Sequence, residues 1–306
     1  MNDEAGPAAD WSTQRERGSL KLLRLMAWIA VTLGRGAARL VLHPIALYFV
    51  LFAPGVRRRS RRYLGRALGR PAGWRDVYRH VHTFAATVLD RVYFARGQME
   101  RFEVRVDGVE LMEQATARGD GAVLLGAHLG SFEALHAVGA SRPGLRVAMV
   151  MYPDNATMIQ GVLHAIAPEA HLDVIPIGRG GSTLVIRDWL DQGGLAGMLG
   201  DRYMPQHTRR DGGVVQLPFL GTPAPFTDGP LRVAMLLRRQ VIFMAGLYLG
   251  GRRYHVRFEP LADFRTGRSE AALQQALQAY AARLEALCRE APYNWFNFHD
   301  FWLEDA

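Results

Sequence analysis

Downstream of residue 98, short apolar runs alternate with segments whose apolar positions fall at helical spacing. Phe102–Val106, Gly121–Ala127, Leu145–Met151, Leu172–Ile177 and Leu195–Leu199 read as strands. Between them, Val109–Ala117, Gly130–Val138, Ala156–Ile166 and Gly181–Asp191 read as helices, the first closed by Gly119 and the third stopped at Pro168. A Pro/Gly-rich stretch spans Tyr203–Gly229. Beyond it, Pro230–Arg239 reads as a helix, Val241–Tyr248 and Tyr254–Phe258 as strands, and Ser269–Glu290 as a long helix. The alternation predicts an α/β fold with a mostly parallel central sheet flanked by helices.

Upstream the pattern is helical throughout. Arg75–Gly97 carries Val77, Val81, Phe84, Val88, Val92 and Phe94 at near-helical spacing. Before it, apolar character rises from Leu20 to Pro54 but is interrupted by Arg24, Arg35, Arg39 and His43-Pro44. The pieces that remain, Leu25–Leu33 and Leu40–Phe52, are each shorter than the roughly 20 residues a spanning helix needs. The run Arg57-Arg58-Arg59-Ser60-Arg61-Arg62 follows immediately, and Trp28, Tyr48, Phe49 and Phe52 precede it. Short apolar helices with interfacial aromatics and an arginine cluster fit a segment embedded in one leaflet, its basic residues on anionic headgroups. Two ordinary core helices and a solvated basic loop would give the same pattern. A nucleic-acid arm is disfavoured, because the run carries no recognition motif. The expected organisation is a flexible N-terminus over 1–19, a membrane-associating helical region over 20–98 and an α/β domain over 99–306. The opening Met-Asn-Asp-Glu-Ala is acidic where a secretory signal is basic.

Composition narrows the class. Of 306 residues 49% are hydrophobic and 22% charged, which excludes a disordered chain and allows a substantial core. The net charge of +8 favours anionic partners such as phospholipid headgroups, nucleic acid or an acidic carrier protein, without choosing among them. The single cysteine, Cys288, excludes an intrachain disulfide and a Cys-based metal site. It lies in a helical pattern and reads as a small packing residue rather than a nucleophile.

The candidate chemistry centres on His128, where an apolar strand meets a helix start, with Glu133 five positions on. Open α/β sheets place reactive groups at this carboxyl edge. A spacing of five does not align two side chains on one helix face. It does allow Glu133 in the first helical turns to reach back, accept the ring N–H and leave the other nitrogen as a base. The competing reading is a satisfied strand-end histidine with Glu133 as a carboxylate favoured by the helix dipole. Asp201-Arg202 ends another strand at the same edge. Backbone N–H groups near Gly130 and Ser131, or Arg202, are candidates to stabilise an oxyanion. Arg179, in Gly178-Arg179-Gly180-Gly181-Ser182, is a candidate for a phosphate at a helix start, although that loop has neither P-loop nor dinucleotide glycine spacing. A Gly-x-Ser-x-Gly elbow and a His-Glu-x-x-His zinc motif are both missing from the chain. The Leu217-Pro-Phe-Leu-Gly221 segment is too apolar for a solvated loop and reads as a cover over an apolar channel.

Taken in order, His128-Leu-Gly-Ser-Phe-Glu133, Gly200-Asp201-Arg202, Leu217-Pro-Phe-Leu-Gly-Thr-Pro-Ala224 and the ending Pro292-Tyr-Asn-Trp-Phe-Asn-Phe298 resemble the lysophospholipid acyltransferase superfamily. The likeness is to the branch holding the late acyltransferases of lipid A synthesis, and it covers roughly residues 100 to 302. It implies transfer of an acyl group from an acyl-carrier-protein or coenzyme A thioester to a hydroxyl or amine of a lipid-like acceptor. It assigns the base to His128 and its support to Glu133, with Asp201 and Arg202 beside the substrate. It implies no metal, no cofactor beyond the thioester co-substrate, no nucleic acid, and a place at the cytoplasmic face of a bacterial inner membrane, peripheral or monotopic. The chain departs from the pattern where Ala127 stands in place of the Asn common in glycerolipid members. The strand ending Met151-Tyr152-Pro153 also lacks the arginine often found there, which leaves Arg179 as a substitute. A non-catalytic acyl-binding protein of the same fold and a thioesterase are the alternatives.

Overall fold

The computed structural model describes residues 28–167, 169, 172–178, 180–202 and 213–302. The expected flexible segment 1–19, Arg179 and the first part of the Pro/Gly-rich stretch lie outside them. Residues 28–32 are helical, and after a turn at Leu33 three longer helices follow: α1 (Gly34–Phe52), α2 (Pro54–Leu68) and α3 (Trp74–Ala95). The alternating part follows as β1 (Glu103–Asp107), α4 (Glu110–Ala117), β2 (Ala122–Gly126), α5 (Phe132–Ala140), β3 (Val147–Met151) and α6 (Pro153–Ile166). It continues as β4 (Asp173–Pro176), α7 (Ser182–Leu190) and β5 (Leu195–Leu199). Then come β6 (Val214–Phe219), β7 (Thr222–Thr227), α8 (Gly229–Leu236), β8 (Gln240–Tyr248), β9 (Arg253–Asp263) and α9 (Glu270–Glu290).

Seven strands form one sheet in the order β1-β9-β8-β2-β5-β3-β4. Strands β8, β2, β5, β3 and β4 run parallel; β9 turns back antiparallel on β8 and carries β1 parallel to itself. The sheet is covered on both faces, as the apolar strands require. Along β2, Val123 and Leu125 join a core with α7, α8 and α9, while Ala122 and Leu124 join one with α1, α3, α4 and α5. The alternation follows from the two-residue period of a strand. Cys288 is fully buried on α9, and burial pushes its thiol well above the ordinary range, in keeping with a packing role.

Two segments differ from the sequence reading. The second apolar piece, Leu40–Phe52, is part of a 19-residue helix that starts at Gly34 and continues through Arg35, Arg39 and Pro44, and by length and composition it is able to cross a membrane. Its interruptions have partners elsewhere in the chain. Arg35 makes a bidentate pair with Asp90 at 2.7 Å, and Arg39 donates to the Tyr248 hydroxyl at 2.8 Å. Ala38, Leu42, Ala46 and Val50, four residues apart, form the buried stripe of α1. The arginine run is likewise part of helix α2 rather than a loop.

The second is the Leu217–Ala224 segment, which is the centre of a two-stranded hairpin rather than a loop. β6 and β7 pair antiparallel, with Phe219 opposite Thr222. Leu220 and Gly221 make a two-residue turn with φ of 51° and 86°, the positive values that hairpin turns require. Leu217, Phe219, Leu220, Ala224 and Phe226 are buried against α9 and the C-terminal aromatic residues. Pro218, Pro223 and Pro225 are tolerated because a two-stranded ribbon has only edges.

Candidate active site

Strand register builds the site. Gly126 at the end of β2 pairs with Leu199 at the end of β5, so the residues two beyond on each strand, His128 and Asp201, come together. The Asp201 carboxylate accepts the His128 backbone N–H on Oδ2 at 2.9 Å and faces ring Nδ1 with Oδ1 at 2.8 Å. An ionised carboxylate can only accept, so Nδ1 carries the proton and Nε2 is left with a lone pair. Asp201 is 1% exposed. Burial alone would raise its carboxyl, but His128 and Arg202 outweigh that and hold it well below the usual carboxylate range. Burial pushes His128 below its ordinary value against the opposing pull of Asp201, so the ring is neutral at pH 7. A neutral imidazole oriented by a buried carboxylate is the arrangement of a general base.

The expected partner of the ring is therefore replaced. Glu133, in the first turn of α5, makes an ion pair with Arg91 of α3 at 2.6 Å and lies 3.5 Å from the Ser131 hydroxyl. It fastens α3 to α5 instead of holding the ring.

The backbone donors expected at Gly130 and Ser131 are also already engaged. Gly130 N–H donates to the Asn294 carbonyl at 2.8 Å, and Ser131 N–H to the Gly246 carbonyl at 2.7 Å. The Ser131 hydroxyl caps α5 by accepting from Ala134 N–H at 3.1 Å. Gly130 has φ +72°, and a Cβ there would lie 2.0 Å from the Gly246 carbonyl oxygen. Its role is this close approach of loop and strand, which only glycine permits. Arg202 is the remaining oxyanion candidate. It adjoins the dyad and its Nη2 lies 3.5 Å from the Phe296 carbonyl.

Two groups escaped the sequence reading. Trp295, fully buried, donates its indole N–H to Asp201 Oδ2 at 2.8 Å. His299, near Arg202 and the dyad, is pushed down to about 3 by burial and by the positive charge of Arg202. Both belong to the Pro292–Phe298 ending and the residue after it, whose composition was visible but whose seat against the His128 loop and β8 was not. Among the described residues, no cluster of three or more His, Cys, Asp or Glu side chains is placed to hold a metal ion.

Comparison with known proteins adds the family. One solved structure similar to this chain is the 1-acyl-sn-glycerophosphate (LPA) acyltransferase PlsC from Thermotoga maritima, at 12% identity and a TM-score of 0.38. The match covers 87% of this chain and 96% of that one. No protein with a curated description matches. Residues 13–304 match the family described as bacterial lipid A biosynthesis acyltransferase. The chain belongs to that family and is an acyltransferase of lipid biosynthesis.

Proposed function

We propose that the protein moves a fatty acyl group from a thioester of acyl carrier protein or coenzyme A to a hydroxyl or amine of a lipid-like acceptor, with His128 as general base. The observation that carries this reading is the 2.8 Å pairing of His128 Nδ1 with buried Asp201 at the carboxyl edge of the sheet. His128 Nε2 takes the proton of the acceptor as its oxygen or nitrogen attacks the thioester carbonyl. Arg202 balances the negative charge that develops on the carbonyl oxygen. Collapse breaks the C–S bond, and the leaving thiolate recovers the proton from the imidazolium. The chemistry needs neither a covalent enzyme intermediate nor a metal or other cofactor.

The test is a purified-enzyme assay supplying long-chain acyl-carrier-protein and acyl-coenzyme A thioesters, each with and without a lipid acceptor. Free thiol and acylated acceptor should appear together in equal amounts. Thiol with free fatty acid, unaffected by acceptor, would identify a thioesterase. No thiol release from any donor would leave only a binding protein.

The site of action we propose is the cytoplasmic face of a bacterial inner membrane, reached as a peripheral or monotopic protein. In support, α1 rests one stripe on the protein and exposes Leu40, Leu47, Tyr48, Leu51 and Phe52 on the rest. Such an apolar face suits the headgroup–acyl boundary. In α2, Arg57 bonds to the Val50 carbonyl and both Arg58 and Arg59 pair with Asp300, while Arg58 and Arg61 are exposed to solvent. Replacing Arg58 and Arg61 together by Ala should weaken binding to anionic vesicles at low salt by about 1 kcal/mol each, roughly 30-fold in all. Unchanged sedimentation with vesicles would remove the basic face from the docking surface.

A further inference from the structure

His80 is fully buried, takes no part in the reaction above, and meets the backbone of Trp295, whose indole bonds to Asp201. Its Nε2 faces the Trp295 carbonyl at 2.9 Å, and its Nδ1 faces the Ser60 hydroxyl at 2.8 Å. A carbonyl only accepts, so Nε2 carries the proton and Ser60 donates to Nδ1. Burial pushes His80 down to about 4, which keeps this link between α2, α3 and the C-terminal segment neutral.

The same segment is fastened at each neighbouring residue. The Asn294 side chain accepts from Tyr248 N–H at 2.8 Å and donates to the Tyr248 carbonyl at 3.1 Å, and its own carbonyl accepts from Gly130 N–H. Phe296 N–H donates to the His128 carbonyl at 2.7 Å. The indole of Trp295 packs edge-on against Tyr63, Phe219 and Phe301 at ring separations of 4.9 to 5.4 Å. Its one donor thus points at Asp201 from a frame tied to α3, β8 and the His128 loop.

We propose that Trp295 is a positioning residue of the acyl transfer, setting through its indole N–H both the orientation and the basicity of Asp201. This rests on the reading of His128 as base. Two donors, His128 N–H and the indole, meet on Oδ2 and stop the carboxylate from rotating, so that Oδ1 stays on the ring. The indole also stabilises the carboxylate charge, which makes Asp201 a weaker partner for an imidazolium. Removing that donor should make His128 more basic.

The experiment titrates the His128 ring by nitrogen NMR in the full chain held in lipid nanodiscs, alongside kcat and KM for an acyl thioester. Wild type is compared with Trp295→Phe and with 3-benzothienylalanine at position 295, which keeps the indole shape but puts sulfur in place of N–H. Trp302→Phe is the control for a ring loss in the same aromatic cluster. The charged and titratable groups facing His128, namely Asp201, Arg202 and His299, are unchanged in every variant. For both position-295 variants the ring pKa should rise by about 0.5–1 pH unit. Their kcat should fall about 10–100-fold while KM stays within about twofold. An unmoved ring pKa in the folded benzothienyl variant overturns the proposal, as does an equal shift in Trp302→Phe. A raised pKa in a protein that transfers no acyl group from any thioester upholds the positioning of Asp201 and overturns the base assignment instead.

Discussion

Replacing His128 by Ala is expected to lower acyl transfer by about 10²–10⁴-fold while leaving the fold intact, the usual worth of general-base assistance. The fold should survive because His128 sits at a loop, its side chain 29% exposed, and its backbone bonds to Asp201 and Phe296 need no imidazole. The rate should also report the base directly through pH. A general base works in its neutral form, and burial places the ring below its ordinary value. Activity should therefore be level near neutrality and fall only as pH drops through a value below 6.5. Turnover by the Ala variant at the wild-type rate, or an acid limb above that value, would remove His128 from the chemistry.

The strands that hold this histidine were legible because a doubly covered parallel sheet needs uninterrupted apolar runs. Ala122–Gly126 and Leu195–Leu199 coincide with the expected strands to within one residue at either end. The helices were legible from spacing, as with α9, whose start falls at the expected Ser269, a cap whose hydroxyl accepts from Ala272 N–H. The hairpin was not, because its turn puts Leu220 where Asn or Gly usually provides positive φ, and its strands contain three prolines. The Leu220 N–H bonds to Glu285 of α9, so the turn is held by a partner 65 residues away. The N-terminal helix was hidden for a similar reason. Arg35 and Arg39 look like interruptions until Asp90 and Tyr248 are placed beside them.

The dyad shows the same limit most sharply. Local spacing offers Glu133 as the only near carboxylate, whereas the ring takes Asp201, 73 residues away. That both stood at one sheet edge was readable; that β2 and β5 are neighbours is a property of strand order, which local pattern does not encode. Glu133 bonds instead to Arg91 because α5 starts beside α3, another pairing settled by packing.

This reassignment carries the second large expected effect. Asp201→Asn keeps the size of the side chain but can turn an amide N–H toward Nδ1, which places the ring proton on Nε2 and occupies the position that must accept from substrate. In the serine-protease triad a change of this kind costs about 10⁴-fold in kcat. A loss of about 10³–10⁴-fold is expected here, with the acid limb displaced to lower pH because the carboxylate that favours the imidazolium is gone. Glu133→Gln should differ in kind, whatever it does to the rate. It breaks the ion pair with Arg91 but leaves the Asp201–ring bond, so the acid limb should stay where it is in wild type. The two pH–rate profiles, measured side by side on folded variants, decide which carboxylate the base uses. A limb that moves in Glu133→Gln and not in Asp201→Asn would return that role to the nearer residue.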